Sequence, residues 1–330
     1  MAGRETLVIR KAQVEETLSM ADYVTAVEDG FRRLGVGRVQ VPSVVHIPAP
    51  NGAFHVKSAK FDSAPSYVAV KVNGNFPNNP TTNGLPTIQG AIVLCDGDNG
   101  SLLAVIDSIA VTAMRTGAAT AVAAKYLAAE DANSVTVIGC GVQARPQLLA
   151  LIEVLPLEVI YAFDTDKGRQ ASFVEQMRGE LSQDVVGVED FTAGTLESRI
   201  VVTCTSSRKP FLKSSHVRPG TFIAAVGADN HDKQELDAAL MRESMVIADV
   251  LTQCAEIGEL HHALEAGVMT IDDVYGELGA IVARDKRVQF EQDDIVIFDS
   301  TGSAIQDVAA AGIIYERARA GGTGLSVVFA

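Results

Sequence analysis

Residues Ser134–Ile138 run directly into Gly139-Cys140-Gly141-Val142-Gln143-Ala144, and this strand followed by G-x-G-x-x-A constrains the fold more than any other stretch. The first glycine permits a tight turn. The second lets the backbone approach a pyrophosphate, and the small third residue lets the next helix pack on its strand. The start of that helix offers N–H groups and a positive dipole end to phosphate. Pro146 falls early enough in the helix to be tolerated. The next apolar strand, VIYAF, ends at Asp164. A carboxylate at that place accepts hydrogen bonds from the adenosine ribose and repels a 2′-phosphate. A glycine turn followed by a helix-capping Asp would be the plain alternative, but strand and helix flank the turn correctly. The expected cofactor is NAD in preference to NADP, with Lys167 and Arg169 close enough to complicate the choice. Gly139, Gly141, Val142, Gln143, Ala144 and Asp164 are the first candidate cofactor-binding residues.

From Ser134 onward the chain repeats strand, turn and helix. Candidate strands are Ser134–Ile138, Val159–Phe163, Asp184–Val188, Ile200–Thr205, Phe222–Val226, Met245–Asp249 and Asp294–Phe298. Most are short β-branched runs without alternation, as strands buried on both faces should be. The expected class is α/β, a Rossmann doubly wound parallel sheet. Such sheets bind ligands at the C-terminal ends of their strands. Two segments fall there: Thr203-Cys204-Thr205-Ser206, and Val226-Gly227-Ala228-Asp229. Thr203, Thr205, Val226 and Gly227 join the cofactor candidates. Asp229 suits acid/base work, or equally a helix cap.

The first part of the chain reads differently. Met20–Leu34 is an expected amphipathic helix starting after Ser19. Val41–Val93 alternates apolar and polar residues between Pro and Gly, which predicts antiparallel strands and loops. Asn73–Gly90 carries so many Asn, Pro and Gly residues that it is expected to be a loop, and such a loop is often functional. Thr112–Ala129 is Ala-rich and helical, and the domain boundary is placed near it. A length of 330 residues suits about two domains.

Charge excludes several classes. The formal net charge is -14, and no Lys/Arg cluster stands out, so neither nucleic acid nor an anionic membrane is an expected partner. No apolar stretch of about 18 residues occurs, and charged residues interrupt the first twenty positions, so neither a membrane span nor a secretory leader is expected. A cytoplasmic location follows as the default. Cys95, Cys140, Cys204 and Cys254 are widely spaced and read as reduced. His261-His262, after Glu256 and Glu259, reads as part of an amphipathic helix, and no metal is expected. No nucleophile elbow is present for hydrolase chemistry.

Several motifs together resemble one family. Gly84-Leu85-Pro86-Thr87-Ile88-Gln89-Gly90, then Thr112-Ala113-Met114-Arg115-Thr116-Gly117-Ala118-Ala119, then GCGVQA, VGADNHDKQELD and FDSTGSAIQD follow the order of the ornithine cyclodeaminase/mu-crystallin family, from about Val41 to Ala311. The resemblance implies an N-terminal α+β substrate-binding and dimerisation domain over 1–115, rejoined by 308–330, and a Rossmann domain over 116–307. It implies a homodimer. It implies that Lys71 contacts the substrate near the reacting carbon and that Arg115 binds its carboxylate. By the same resemblance Thr116 contacts a cofactor phosphate, Asp229 is the catalytic aspartate, and Ser300, Thr301 and Gly302 lie near the nicotinamide. The chemistry agrees with those roles. A carboxylate suits a permanently charged fork, and a C=N acceptor must be protonated to take a hydride.

One departure stands out. Many relatives carry a second arginine shortly after an N-terminal Pro, whereas this chain reads Val41-Pro42-Ser43-Val44-Val45-His46. Just downstream, His55 and Lys57 are expected to supply that charge, unless both sit on an exposed strand face. Crowded cations favour an anionic substrate over an amine. The expected activity is NAD-dependent reduction of a small 2-imino acid or ketimine carboxylate to the amino acid, or the reverse, of iminosuccinate/aspartate or alanine type. A cyclodeaminase-type lyase using NAD catalytically is the alternative. A non-enzymatic, crystallin-like cofactor-binding protein is the reading of another class, and it would need no acid/base group such as Lys71 or Asp229.

Overall fold

The computed structural model describes residues 5–40, 44–62 and 64–329, so part of the Val41–His46 segment lies outside the described residues. The chain divides into two compact units, Met1–Arg115 with Ser303–Ala330, and Thr116–Gly302. The first contains β1 (Glu5–Ile9), α1 (Lys11–Thr17), α2 (Met20–Gly35), β2 (Val39–Gln40), β3 (Val44–Ala49), β4 (Gly52–Phe61), β5 (Tyr67–Asn75), α3 (Asn79–Thr82), β6 (Ile88–Asp96) and β7 (Leu102–Asp107). Helix α4 (Ser108–Leu127) carries the chain from Arg115 in one unit to Thr116 in the other. The second unit holds β8 (Ser134–Ile138), α5 (Ala144–Ile152), β9 (Val159–Phe163), α6 (Lys167–Glu180), β10 (Asp184–Gly187), α7 (Phe191–Thr195), β11 (Ile200–Thr203), β12 (Arg208–Leu212), β13 (Phe222–Ala225) and β14 (Gln234–Leu236). It continues through α8 (Ala238–Arg242), β15 (Met245–Ala248), α9 (Leu251–Ile257), α10 (Glu259–Glu265), β16 (Gly276–Glu277), α11 (Leu278–Ala283) and β17 (Val296–Asp299). The chain then re-enters the first unit as α12 (Ala304–Gly321) and β18 (Leu325–Val328).

In the first unit the sheet runs β18-β1-β7-β6-β5-β4-β2, with β3 also paired to β4. All its pairings are antiparallel except β1 with β7. Helix α2 starts where Ser19 and Asp22 form a reciprocal capping box. Its buried Tyr23, Val24, Val27 and Phe31 recur at helical spacing and make one apolar stripe. That helix packs on α12, which also lies against β4, β5 and β6. The contact is close because Gly30 faces α12: a Cβ there would come within 3.2 Å of the Ala309 Cβ.

The breaker-rich segment is less of a loop than its composition predicts. Strand β5 continues to Asn75, α3 occupies the middle, and β6 begins at Ile88. Gly90 pairs with Asn73, and a Cβ at Gly90 would meet the Val72 carbonyl oxygen at 2.1 Å. This glycine therefore permits a close strand approach rather than a turn. The Ala-rich helix also starts earlier than predicted, because the Asp107 carboxylate accepts from the Ile109 and Ala110 amides.

The second unit is built on a fully parallel sheet ordered β10-β9-β8-β11-β13-β17-β15-β16. Chain order reverses between β8 and β11, the switch point where doubly wound sheets bind ligands. Strands β8, β11, β13 and β17 are buried at every position, which explains their lack of alternation. The return to the first unit falls at Ser303 and not at residue 308. Ser303 is the N-cap of α12, and one continuous helix carries its apolar side into one core. Among the described residues no helix is long and apolar enough to cross a membrane.

Candidate active site

Parallel strands deliver their C-terminal ends to one edge of the sheet. Gly139–Ala144 follows β8, Asp164 follows β9, Thr205 follows β11, Val226 and Gly227 follow β13, and Ser300–Gly302 follow β17. Gly139 has φ +101°, and a Cβ there would meet the Cys204 carbonyl at 2.9 Å, so both backbone and space demand glycine. A Cβ at Gly141 would meet nothing within 4 Å, which leaves its face open to a ligand. Val142 is exposed, whereas Ala144 is fully buried where α5 meets the sheet. Gln143 precedes α5 as its N-cap residue. At Gly117 a Cβ would come 2.3 Å from the Pro146 carbonyl oxygen, so α4 and α5 touch backbone to backbone next to Thr116.

Asp164 is buried and closes this turn. Its Oδ2 accepts the Cys140 amide at 2.9 Å and its Oδ1 accepts the Asp166 amide at 2.8 Å. The Arg169 guanidinium stands 3.4 Å away. These features fit a dinucleotide with its pyrophosphate on the glycine turn and its ribose by Asp164.

Four buried acids hold the same edge together, and the sequence reading named only Glu259, beside a metal that it did not expect. Glu235 accepts the Thr205 amide at 2.7 Å and the Gly227 amide at 2.9 Å, joining the ends of β11 and β13. Asp249 accepts the Gly302 amide at 2.8 Å and the Thr301 hydroxyl at 2.9 Å. Glu259 accepts the amides of Glu235 and Leu236, and Asp299 accepts those of Glu259 and Leu260. Burial raises all four carboxyls above their ordinary range, and Asp299 reaches about 7. The motif QELD contains Glu235, but nothing local marks it as buried. Thr203 and Ser300 are buried beside these groups.

Asp229 lies four residues past β13. It is exposed and pairs with the Lys233 ammonium at 2.8 Å.

The first unit carries a separate charged cluster. Lys57 on β4 and Lys71 on β5 are direct cross-strand partners, and both are buried. Asp307, on α12, places Oδ2 2.6 Å from the Lys71 Nζ and Oδ1 3.1 Å from the Arg115 Nε. Arg115 also donates to the Gln306 side chain at 2.6 Å. Two buried cations thus share one carboxylate. Burial, then the charges of Arg115 and Lys57, bring the Lys71 ammonium down to about 7 against the pull of Asp307. Burial alone would raise the Asp307 carboxyl, but Lys71 and Arg115 hold it below its ordinary value. Lys57 is 9% exposed, so it does not share an exposed strand face with His55. His55 is half-buried, its ring edge-on to His46 at 4.9 Å. Asp307 is the residue that sequence reasoning missed here. An acid followed by Val-Ala-Ala-Ala-Gly in an apolar helix was the available signal.

A parallel dinucleotide sheet joined to an antiparallel unit with buried cations defines a two-unit, nucleotide-dependent oxidoreductase architecture. Residues 4–322 match the ornithine cyclodeaminase/mu-crystallin family, and the chain belongs to it. An archaeal alanine dehydrogenase dimer with bound NAD has a similar structure, with TM-score 0.94 and 34% identity over 99% of this chain and 100% of that one. The Δ1-pyrroline-2-carboxylate reductase of Thermococcus litoralis, in complex with NADH and L-proline, gives TM-score 0.93 and 33% identity over 98% and 100%. The iminosuccinate reductase of Paracoccus denitrificans, in complex with NAD+, gives 0.91 and 31% over 98% and 99%.

Proposed function

We propose that this protein is an NAD-dependent oxidoreductase that reduces the C=N bond of a small 2-imino acid or ketimine carboxylate, or runs the reverse reaction. The observation that carries the reading is the pair of buried cations, Lys71 and Arg115, sharing the single carboxylate of Asp307. A substrate carboxylate completes that charge balance, and the Arg115 fork suits it geometrically. NAD(H), when bound along the sheet edge, supplies or takes the hydride. Lys71, brought near neutral pH, holds a proton that it can deliver to the substrate nitrogen or take back. Asp307 orients both cations. Asp229 is assigned a second proton-handling role, with Lys233 holding its carboxylate. Lys57 and His55 set substrate preference, Lys57 by favouring a second carboxylate.

The relatives' activities support this reading. They include an alanine dehydrogenase, an iminosuccinate reductase and pyrroline-2-carboxylate reductases. A homodimer is part of the proposal, supported by the dimeric archaeal relative. The test supplies NADH with oxaloacetate plus ammonia, pyruvate plus ammonia, a cyclic ketimine carboxylate, or ornithine. Loss of NADH absorbance with an imine is the expected result. Ammonia release from ornithine without net change in that band would establish the lyase reading instead. Light scattering of the purified protein tests the dimer.

A further inference from the structure

We propose that His231, His261 and Glu265 form a binding site for one divalent transition-metal ion of the zinc, cobalt and nickel type. The three ligand atoms lie within 4.8 Å of one another. His261 and Glu265 stand one turn apart on α10, with Nε2 3.4 Å from the carboxylate oxygen. Two ligands of one tetrahedral ion, each about 2.0–2.1 Å from it, are roughly 3.3 Å apart. The helix therefore already holds this pair at ligand spacing. His231 comes from the loop after β13, and its ring lies 4.0 Å from that of His261.

The hydrogen bonding of His261 points to a ligand. Its side chain is nine-tenths buried, yet among the described residues Nε2 has no hydrogen-bond partner. In the tautomer with its proton on Nδ1, the imidazole would present the Nε2 lone pair to the Glu265 carboxylate beside it. The neighbouring His262 takes a different part: its Nε2 donates to the Lys233 carbonyl at 2.8 Å and so ties the loop bearing His231 to α10.

The donor set chooses the ion. Two imidazoles and one carboxylate suit borderline cations, whereas magnesium and calcium prefer oxygen. Three protein ligands leave a coordination position for water or a small anion. Sequence spacing conceals the site, because His231 is remote from the other two ligands. The ion fastens to α10 the same loop that carries Asp229.

The experiment uses tag-free, full-length protein stripped with a chelator and titrated with cobalt(II). We expect one equivalent to bind with the intense visible bands of a low-coordinate site, and zinc to displace it. His231→Ala and Glu265→Gln alter exposed side chains, so they leave the fold intact. Each should weaken cobalt binding by about tenfold or more. A His262→Ala variant should retain the spectrum. Absence of stoichiometric binding, equal affinity in the His231→Ala and Glu265→Gln variants, or equal competition by magnesium would each overturn the proposal.

Discussion

The Asp307 carboxylate lies 2.6 Å from the Lys71 ammonium, which joins the last long helix of the chain to a strand from its first quarter. The same carboxylate reaches Arg115 at 3.1 Å. One acid on α12 thereby holds two cations on β5 and α4, and it opposes the burial that draws the proton from Lys71.

The first prediction concerns pH. Lys71 is protonated below about 7 in the folded protein and neutral above it. If its proton is used in imine reduction, kcat/KM should fall as pH rises through that value. Asp307 stabilises the protonated form, so Asp307→Asn should move the falling limb to lower pH. Stability should run the other way. The unfolded lysine keeps its proton up to its ordinary value of 10.5, so between about 7 and 10.5 folding releases a proton. This group's contribution to stability therefore rises with pH across that window. A falling limb that Asp307→Asn leaves in place would separate Lys71 from the profile.

Arg115 should act mainly on substrate affinity. A hydrogen bond to a charged group contributes about 1.5–3 kcal/mol, so Arg115→Ala should raise KM for the imino acid by roughly 10- to 150-fold. Lysine lacks the planar fork, so Arg115→Lys should recover little of the loss. NAD affinity, measured by fluorescence quenching, should be near that of the unmodified protein. A weakened cofactor with an unchanged KM would reverse the assignment.

Glu235 should act on the cofactor instead. Its two oxygens accept amides from the ends of β11 and β13. Glutamine retains one acceptor and turns an NH2 group against the other amide. The mismatch costs about 1–3 kcal/mol. Glu235→Gln should weaken NAD binding by about tenfold, with only a small change in the imino-acid KM. Calorimetric titration with NAD reads the effect directly, and an unchanged affinity would leave Glu235 a purely structural residue.

Asp164 should decide between NAD and NADP. Its removal in Asp164→Ser takes away the repulsion of a 2′-phosphate and leaves Arg169 nearby. The NAD preference, as a ratio of kcat/KM values, should narrow or invert. A further Arg169→Ala change should abolish the gain with NADP.

Lys57→Ala should change the ranking of substrates. If the buried ammonium favours a second carboxylate, the variant should lose efficiency with a dicarboxylic imine and keep it with a monocarboxylic one. An unchanged ranking and unchanged Michaelis constants would remove Lys57 from substrate selection.

Local order carried the second unit. The strand, GCGVQA and Asp164 identify the switch-point turn because each step depends on residues only a few positions apart. Unalternating β-branched runs likewise identify strands buried on both faces. Composition misled at Gly90, where glycine serves a close strand approach, since a breaker residue does not state which backbone it must admit. The return at Ser303 was displaced for a related reason. A helix belongs to the core that receives its apolar face, and Ser303 stands at the N-cap position of a helix whose partners are α2 and the first sheet. The glycine turn could be singled out from the sequence by its own motif, and Lys71 and Arg115 by the resemblance to the family. Asp307, Glu235 and His231 could not. A carboxylate or imidazole acquires its role from the charges and amides brought within about 3 Å, and those come from strands and helices distant in the chain. Sequence periodicity states which face a residue occupies, whereas only the packed tertiary structure decides how deeply it is buried and what it meets there.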